Sequence, residues 1–325
     1  MKRILALILS VVLILCLSAC GNGDSSGSDD APFTIGFVMI EPVGNSYNQL
    51  QVIKRECEAR GWELMYDSSD NDSEKCLSLT NNFITKGADA LYVYTVDMGT
   101  QTTVKEICDR AGVHVVFTGL MDDSVVQIAD DEAKQGQSGA EVLTAAAAEK
   151  WGDLKADLII ATEATEVGDG NRIRMHENYL PGLCASQNYP EENVVWLDIG
   201  LDLLKATSLV ANTLSAHPEA KRILVAAFHD QACGQGPLNA LKAAGRDGDA
   251  LILSYHISDR VTAEAIKNEP AFYGSFYFPP ESYVTPLFEC FDIWAAGGTV
   301  EVGLQTCQYV LVTKDNIDEI EFEFD

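Results

Sequence analysis

Residues 33–67 read FTIGFVMIEPVGNSYNQLQVIKRECEARGWELMYD. The first eight are an apolar, β-rich run, residues 48–61 set Leu50, Ile53 and Cys57 at helical spacing ahead of Gly61, and 62–67 form a second strand-like run ending in polar residues. Strand, helix and strand with almost nothing between them predict a βαβ unit and hence parallel strands. The alternation continues through a helix at 76–86 (CLSLTNNFITK) closed by Gly87, a strand at 90–95 (ALYVYT), and a helix at 103–110 leading into 113–118 (VHVVFT). After a strand at 125–129 and a helix at 133–151 the pattern restarts, with strands at 158–162, 194–197, 223–228 and 250–254 separated by helices near 174–186, 202–215 and 236–244. Two such sets predict an α/β chain of two doubly wound parallel-sheet lobes with a cleft between them.

Ahead of this body, Met1-Lys2-Arg3 is a short positive region and 4–17 an apolar run too short to span a bilayer comfortably, which predicts an export signal over 1–20. The run closes on Leu17-Ser-Ala-Cys20-Gly21, which resembles a bacterial lipobox, so Cys20 is expected to carry lipid and become the new N-terminus. Residues 21–32 hold almost no apolar side chain to offset their ordering entropy and are expected to be a flexible tether.

About 290 residues remain, a comfortable length for two lobes. The chain carries a formal charge of -27, and removing Lys2 and Arg3 leaves 20 basic against 49 acidic residues, a net -29. Such a body does not bind nucleic acid non-specifically. Most of the acid is expected to be solvated surface, with acids at the lobe tips available to basic residues of a membrane partner. Beyond Cys20 the cysteines are Cys57, Cys76, Cys108, Cys184, Cys233, Cys290 and Cys307, an odd set without a C-x-x-C pair. Buried thiols are the expectation, and they suit a habitat poor in oxidant.

In open parallel sheets, ligands lie beyond the carboxyl ends of the strands, where loops converge. Along the chain stand, in order, Asp67-Ser-Ser-Asp-Asn-Asp, Gly87-Ala-Asp-Ala-Leu-Tyr-Val-Tyr, Ala111-Gly-Val-His-Val-Val, Gln127-Ile-Ala-Asp-Asp-Glu-Ala-Lys-Gln-Gly and His229-Asp230-Gln-Ala-Cys-Gly-Gln-Gly. With Ala240-Leu-Lys-Ala-Ala-Gly245 and the tail Tyr309-Val-Leu-Val-Thr-Lys-Asp-Asn316, this ordered set resembles the periplasmic sugar-binding protein family of the ribose and galactose type over nearly all of 33–325.

The resemblance implies a three-strand hinge, with crossovers near 129–131, near 278–280 and near Gln305. It gives an N-terminal lobe of 33–129 plus 279–304, including a helix at 281–296, and a C-terminal lobe of 130–278 plus 305–325. Pro279-Pro280 suits a hinge strand because proline fixes the backbone.

It also implies a ligand set. Asn45, Ser46 and Tyr47 follow the first strand: Asn45 to hydrogen-bond a hydroxyl and Tyr47 to stack on a sugar ring, with a helix cap at Asn45 or Ser46 as the plain alternative. The next loop, Thr118-Gly119-Leu120-Met121, departs from the family's usual acid and cation. Arg172 or Arg174 is expected to fork onto ligand hydroxyls, and spacing does not choose between them. His229 and Asp230 stand where the family commonly has Asn-Asp, Asp230 as acceptor. His256 replaces a carboxylate, and Tyr277 or Phe278 stands near a usual glutamine. These changes predict a more aromatic, less acidic cleft and a ligand with fewer hydroxyls or with an acidic or phosphorylated group.

The expected partners are therefore a sugar-like small molecule, an ABC permease, and the membrane through lipid on Cys20, with a monomeric body and no cofactor. A ligand-sensing subunit for a membrane receptor is the rival within the same fold, because both roles use the same closure. A metal-binding or hydrolytic protein could recruit His176, His229, His256 and Asp230, but these share no local ligand spacing and the chain lacks H-E-x-x-H and a nucleophile elbow. A cytoplasmic repressor on this fold is disfavoured by the export signal and the lack of an N-terminal DNA-binding helix pair.

Overall fold

The computed structural model describes residues 31–119, 122, 124–163, 171–200, 202–229, 231–257 and 259–322. The expected signal, lipidated Cys20 and most of the tether lie outside them. The compact body runs from Phe33 to Asp325.

Within the body the alternation folds into two six-stranded sheets. The first holds β1 (Thr34–Met39), β2 (Glu63–Ser68), β3 (Ala90–Tyr94), β4 (His114–Thr118), β5 (Val126–Ala129) and β11 (Gly303–Thr306), in the order β11-β5-β4-β3-β1-β2. The second holds β6 (Leu158–Glu163), β7 (Val195–Asp198), β8 (Ile223–Ala227), β9 (Ala250–Tyr255), β10 (Phe272–Tyr277) and β12 (Val310–Thr313), in the order β12-β10-β9-β8-β6-β7. Neighbours pair in parallel except β10 with β12. Both sheets run outward from their first strand in the same way, so each has one switch point, between β1 and β3 and between β6 and β8.

The helices are α1 (Gly44–Arg60), α2 (Ser73–Thr85), α3 (Met98–Ala111), α4 (Glu132–Trp151), α5 (Asn171–Gln187), α6 (Leu203–Ala216), α7 (Gly236–Ala243), α8 (Arg260–Asn268) and α9 (Pro280–Ala295). Among the described residues none is long and apolar enough to cross a membrane. Five start on an aspartate whose carboxylate accepts first-turn amides: Asp72, Asp97, Asp131, Asp202 and Asp259. Part of the acid excess is thus capping, worth about 1 kcal/mol per helix.

Strands buried on both faces read as near-continuous apolar runs because helices cover each side. One core lies under α2 and α3 (Val38, Leu91, Phe117, Val104) and another under α6, α7 and α8 (Ile160, Val225, Ile252, Leu241). The third is continuous through both lobes, from Phe37 and Leu50 by way of Phe278 and Tyr283 to Phe228 and Tyr255.

The chain passes between the sheets three times. It leaves β5 at Ala129 and enters α4, which packs on α5 and β9; it leaves β10 at Tyr277 and enters α9, which packs on α1. Arg60 of α1 forks onto Asp292 of α9 at 3.0 and 3.1 Å, and Arg55 reaches Glu281 at 2.8 Å. Pro279 is the N-cap and Pro280 the first residue of α9, where a missing N–H is harmless. The third passage runs through Cys307–Tyr309 rather than at Gln305, because Gln305 and Thr306 still pair with Ile128 and Ala129 of β5. Since β5 and β10 both leave their sheets at the carboxyl end and every other strand but β12 runs parallel to them, the carboxyl strand ends of both sheets face the hinge.

All seven described cysteines are free and buried. Burial pushes the thiols of Cys57 and Cys108 up to about 12 and those of Cys76, Cys184 and Cys290 up to about 11. The expected result of a thiol titration at pH 8 is almost no fast reaction in the native protein and seven equivalents after unfolding of residues 33–325. Rapid labelling of two or more native thiols would contradict this packing.

Candidate functional site

At the first switch point, Gly44 with φ +56° turns the chain out of the loop after β1 and into α1. Val43 is the N-cap and makes no side-chain cap bond, so the cap alternative for Asn45 and Ser46 does not hold. Both lie in the first turn: Asn45 is half-buried, Ser46 is buried, and Tyr47 is half-buried against the continuous core. The loop after β2 is pinned beside them by Ser69 N–H to Met39 O (2.8 Å) and Asn71 N–H to Ile40 O (2.9 Å).

The Thr118-Gly119 departure has a steric reason. A Cβ at Gly119, whose φ is +100°, would stand 2.6 Å from the Thr95 carbonyl oxygen and 2.8 Å from the Tyr94 ring. Beyond it the Asp122 amide donates to Gln127 Oε1 at 2.9 Å, which ties the loop down; Leu120 and Met121 lie outside the described residues.

At the second switch point β6 ends on Glu163 and β8 runs into Phe228 and His229. Glu163 is buried and its carboxylate is hydrogen-bonded to Nε2 of His176, on α5. The His176 ring packs on Phe228 at 4.2 Å and edge-on to Trp196 of β7 at 4.6 Å. Phe228 is fully buried, and its ring also meets Tyr179 (5.4 Å) and Tyr255 (6.1 Å). His229 is half-buried directly after it. Gln231–Gln235 forms a π-helical turn ahead of α7, a local widening often found at functional sites.

His256 follows β9 with φ +60°, an unusual value for a residue with a side chain. Its ring stacks on Phe278 (4.5 Å, 11°), and Nε2 lies 3.8 Å from Asp130 Oδ2. Asp130 and Phe278 are the first residues of two hinge passages, so His256 sits at the hinge itself. Tyr309 of the third passage packs on Phe278 (5.6 Å) and hydrogen-bonds Ser138 at 2.9 Å.

The structure thus sets Asn45, Ser46 and Tyr47 at one switch point, His229 at the other, and His256 and Phe278 at the hinge. Tyr277 does not join them: strand alternation turns it into the outer core, where its ring meets Phe322 at 5.1 Å. Arg172 and Arg174 fall in the first turn of α5 with side chains beyond what is described, and Asp230 lies outside the described residues. Among the described residues no group of three or more His, Cys, Asp or Glu side chains is placed to hold a metal ion. At the level of sequence Glu163 has no assigned role, Asp130 figures only in the family-like segment and the crossover near 129–131, and His176 only in the metal-binding alternative.

Two parallel sheets that turn their switch points toward a three-strand hinge define a two-lobe binding fold. The chain belongs to the family described as periplasmic binding protein domain, whose profile matches residues 35–283. It is 25% identical over 300 residues to the ribose import binding protein of Bacillus subtilis, covering 84% of this chain and 90% of that one. It is 30% identical over 139 residues to the fructose import binding protein of Bifidobacterium longum, 41% of each chain. In fold it resembles a galactofuranose binding protein (TM-score 0.70, 19% identity, 89% of this chain and 97% of that one). A periplasmic solute binding protein from Actinobacillus succinogenes with bound D-allose is similar too (TM-score 0.71, 17% identity, 89% of this chain and 100% of that one).

Proposed function

We propose that this chain is an extracytoplasmic solute-binding protein that captures a sugar or sugar derivative between its lobes and delivers it to an ABC permease. The observation that carries the reading is the pair of strand-end layers facing one hinge, each with polar and aromatic groups at its switch point. Relatives named for ribose and fructose import, and a similar fold holding D-allose, support a sugar as the cargo. The lipobox-like Leu17-Ser-Ala-Cys20 supports a lipid anchor, with 21–32 as the tether and the lobes divided as the sequence suggests, except that residues 305–306 go with the first lobe. In the open form each lobe offers half the contacts. Closure about Asp130, Phe278 and Tyr309 is favoured only when a ligand completes both halves, because only then are the polar groups satisfied as water leaves.

The test is a melting-temperature screen of residues 33–325 against D-ribose, D-fructose, D-allose, L-arabinose and myo-inositol, with sugar phosphates alongside. A ligand at a hundred times its Kd stabilises the native state by about 2.7 kcal/mol. For a chain of this size that is expected to raise Tm by about 5 °C. No shift with any compound at millimolar concentration would sink the reading.

A further inference from the structure

Five of the eleven large apolar side chains that stand exposed among the described residues lie at one kind of place, the entry of a helix from the carboxyl end of a strand: Val43 ahead of α1, Met98 on α3, Leu203 and Leu204 on α6, and Val261 on α8. Leu204 is 78% exposed, Val261 63% and Met98 49%. Both lobes contribute, because α1 and α3 follow strands of the first sheet and α6 and α8 strands of the second. Since the carboxyl strand ends of both sheets face the hinge, these helix entries make up the rim of the cleft. A helix N-terminus favours acidic side chains in its first turn, and the chain has 49 acidic residues to place. Yet α1, α3, α6 and α8 carry none there, whereas α2, α4 and α9 carry Glu74, Glu132 and Glu281. The acids that do stand at three of these entries are engaged by the fold: Asp97 accepts from the Thr100 amide (2.6 Å), Asp202 from those of Leu204 and Lys205 (2.8 and 3.0 Å), and Asp259 from that of Thr262 (2.7 Å). Bulky apolar groups left in water beside capped helix ends gain nothing from the folded body; they gain from a partner that covers them.

From this arrangement, and resting on the importer reading, we infer that the permease is held through the apolar side chains of the rim and not through the acids beside them. Position commits the occupant: a partner seated around the mouth of the cleft is the one that receives what the cleft releases. A second copy of the chain is a poor occupant, because each copy carries a formal charge of -27 and the two would repel. The partner's matching surface is apolar with a neutral or basic fringe, since Asp97, Asp202 and Asp259 stay beside the apolar groups as carboxylates. Sequence alone leads one to expect acids at the lobe tips to meet a membrane partner. The structure instead commits the acids at these entries to capping and leaves the apolar neighbours facing outward. An interface of this kind differs from an acid-led one in a measurable way: salt screens attraction between exposed charges but does not weaken apolar burial.

The experiment labels the folded body of residues 33–325 at Leu204→Cys with a benzophenone maleimide, which is selective because the seven described cysteines are buried. The labelled body is irradiated on right-side-out membrane vesicles of the native host with D-ribose, D-fructose or D-allose present. The expected product is a cross-link to a permease subunit, identified by mass spectrometry, in a yield that holds or rises from about 50 to about 500 mM NaCl. Leu154→Cys, 60% exposed at the opposite end of the second lobe, is the control expected to give none. A variant combining Met98→Ser, Leu203→Ser, Leu204→Ser and Val261→Ser, with Val43 left unchanged beside the sugar site, is expected to keep its melting temperature and its ligand-induced shift within about 2 °C of wild type. In cells that carry it in place of the native chain, uptake of the sugar is expected to fall by about tenfold or more. Leu204→Ser alone, expected to lower uptake in the same direction, decides the matter if the combined variant does not fold. Uptake at the wild-type rate by a folded variant, a cross-link to a second copy in place of a permease, or a yield that collapses in salt would overturn the inference and leave the capture reading standing. A salt-resistant permease cross-link by a body whose melting temperature no sugar raises would support the inference and overturn the sugar reading.

Discussion

Cutting Phe228 back to alanine is expected to lower the stability of the body by about 3–5 kcal/mol and to weaken ligand capture with it. The ring is 0% exposed and meets His176, Tyr179, Trp196 and Tyr255, so its removal leaves a hole that four rigid neighbours cannot all collapse into. Transfer and cavity terms therefore add. His176 would lose the surface that holds it over the strand ends, and His229 is the next residue in the chain. Phe228→Leu should lose less than about 1.5 kcal/mol, since much of the volume is kept. Denaturant unfolding at unchanged slope measures both, and an alanine variant within 1 kcal/mol of wild type would show that the ring is not a keystone.

A second large effect is expected where α4 packs on α5. A Cβ at Gly136 would stand 2.3 Å from the carbonyl oxygen of Met175, and one at Gly139 would stand 1.7 Å from the Tyr255 hydroxyl oxygen. Backbone cannot rotate out of the way, so Gly136→Ala must push the two helices apart. The overpacking cost of about 1–3 kcal/mol or more should exceed the roughly 1 kcal/mol gained by removing glycine from a helix. Because the blocking atom is backbone, the cost lies at the upper end of that range, and a net loss of about 1–2 kcal/mol is expected from thermal or denaturant unfolding. Gly248→Ala, with no atom within 4 Å of the added carbon, is the control expected to be neutral. Equal stability of the two variants would disprove the close packing of α4 on α5.

Period and punctuation are local, so the first strand, expected at 33–40 and found at Thr34–Met39, the helix closed by Gly61 with its φ of +69°, and the restart after Trp151 are readable from neighbouring residues, whereas the helix starts at Gly44 rather than at 48. Short polar strands are not readable in this way: Gly303–Thr306 (GLQT) has no apolar alternation, and only its pairing with β5 makes it a strand. For that reason the third passage lies two residues beyond the expected Gln305. The site split the same way. Loops beyond strand ends could be located from the alternation, and the family resemblance puts the candidates Asn45, Tyr47, His229 and His256 on them. Glu163 falls just past the strand expected at 158–162, and nothing local marks it, because its partner is thirteen residues away and meets it only in space. Tyr277 was paired with Phe278 because adjacent aromatics look alike in sequence, whereas a strand sends neighbours to opposite faces.

The last strand of each sheet is borrowed from beyond the other lobe: β11 enters the first sheet only after the second lobe's strand β10 is complete, and β12 enters the second only after β11. No single cut in the polypeptide can therefore release either half whole. A fragment ending at residue 129 would lack α9 and the edge partner of β5, exposing the apolar flank that Phe288 and Phe291 now cover. Expression as separate halves should fail unless residues 279–306 are stitched to the first piece, so the two lobes must be inherited, made and folded as one unit.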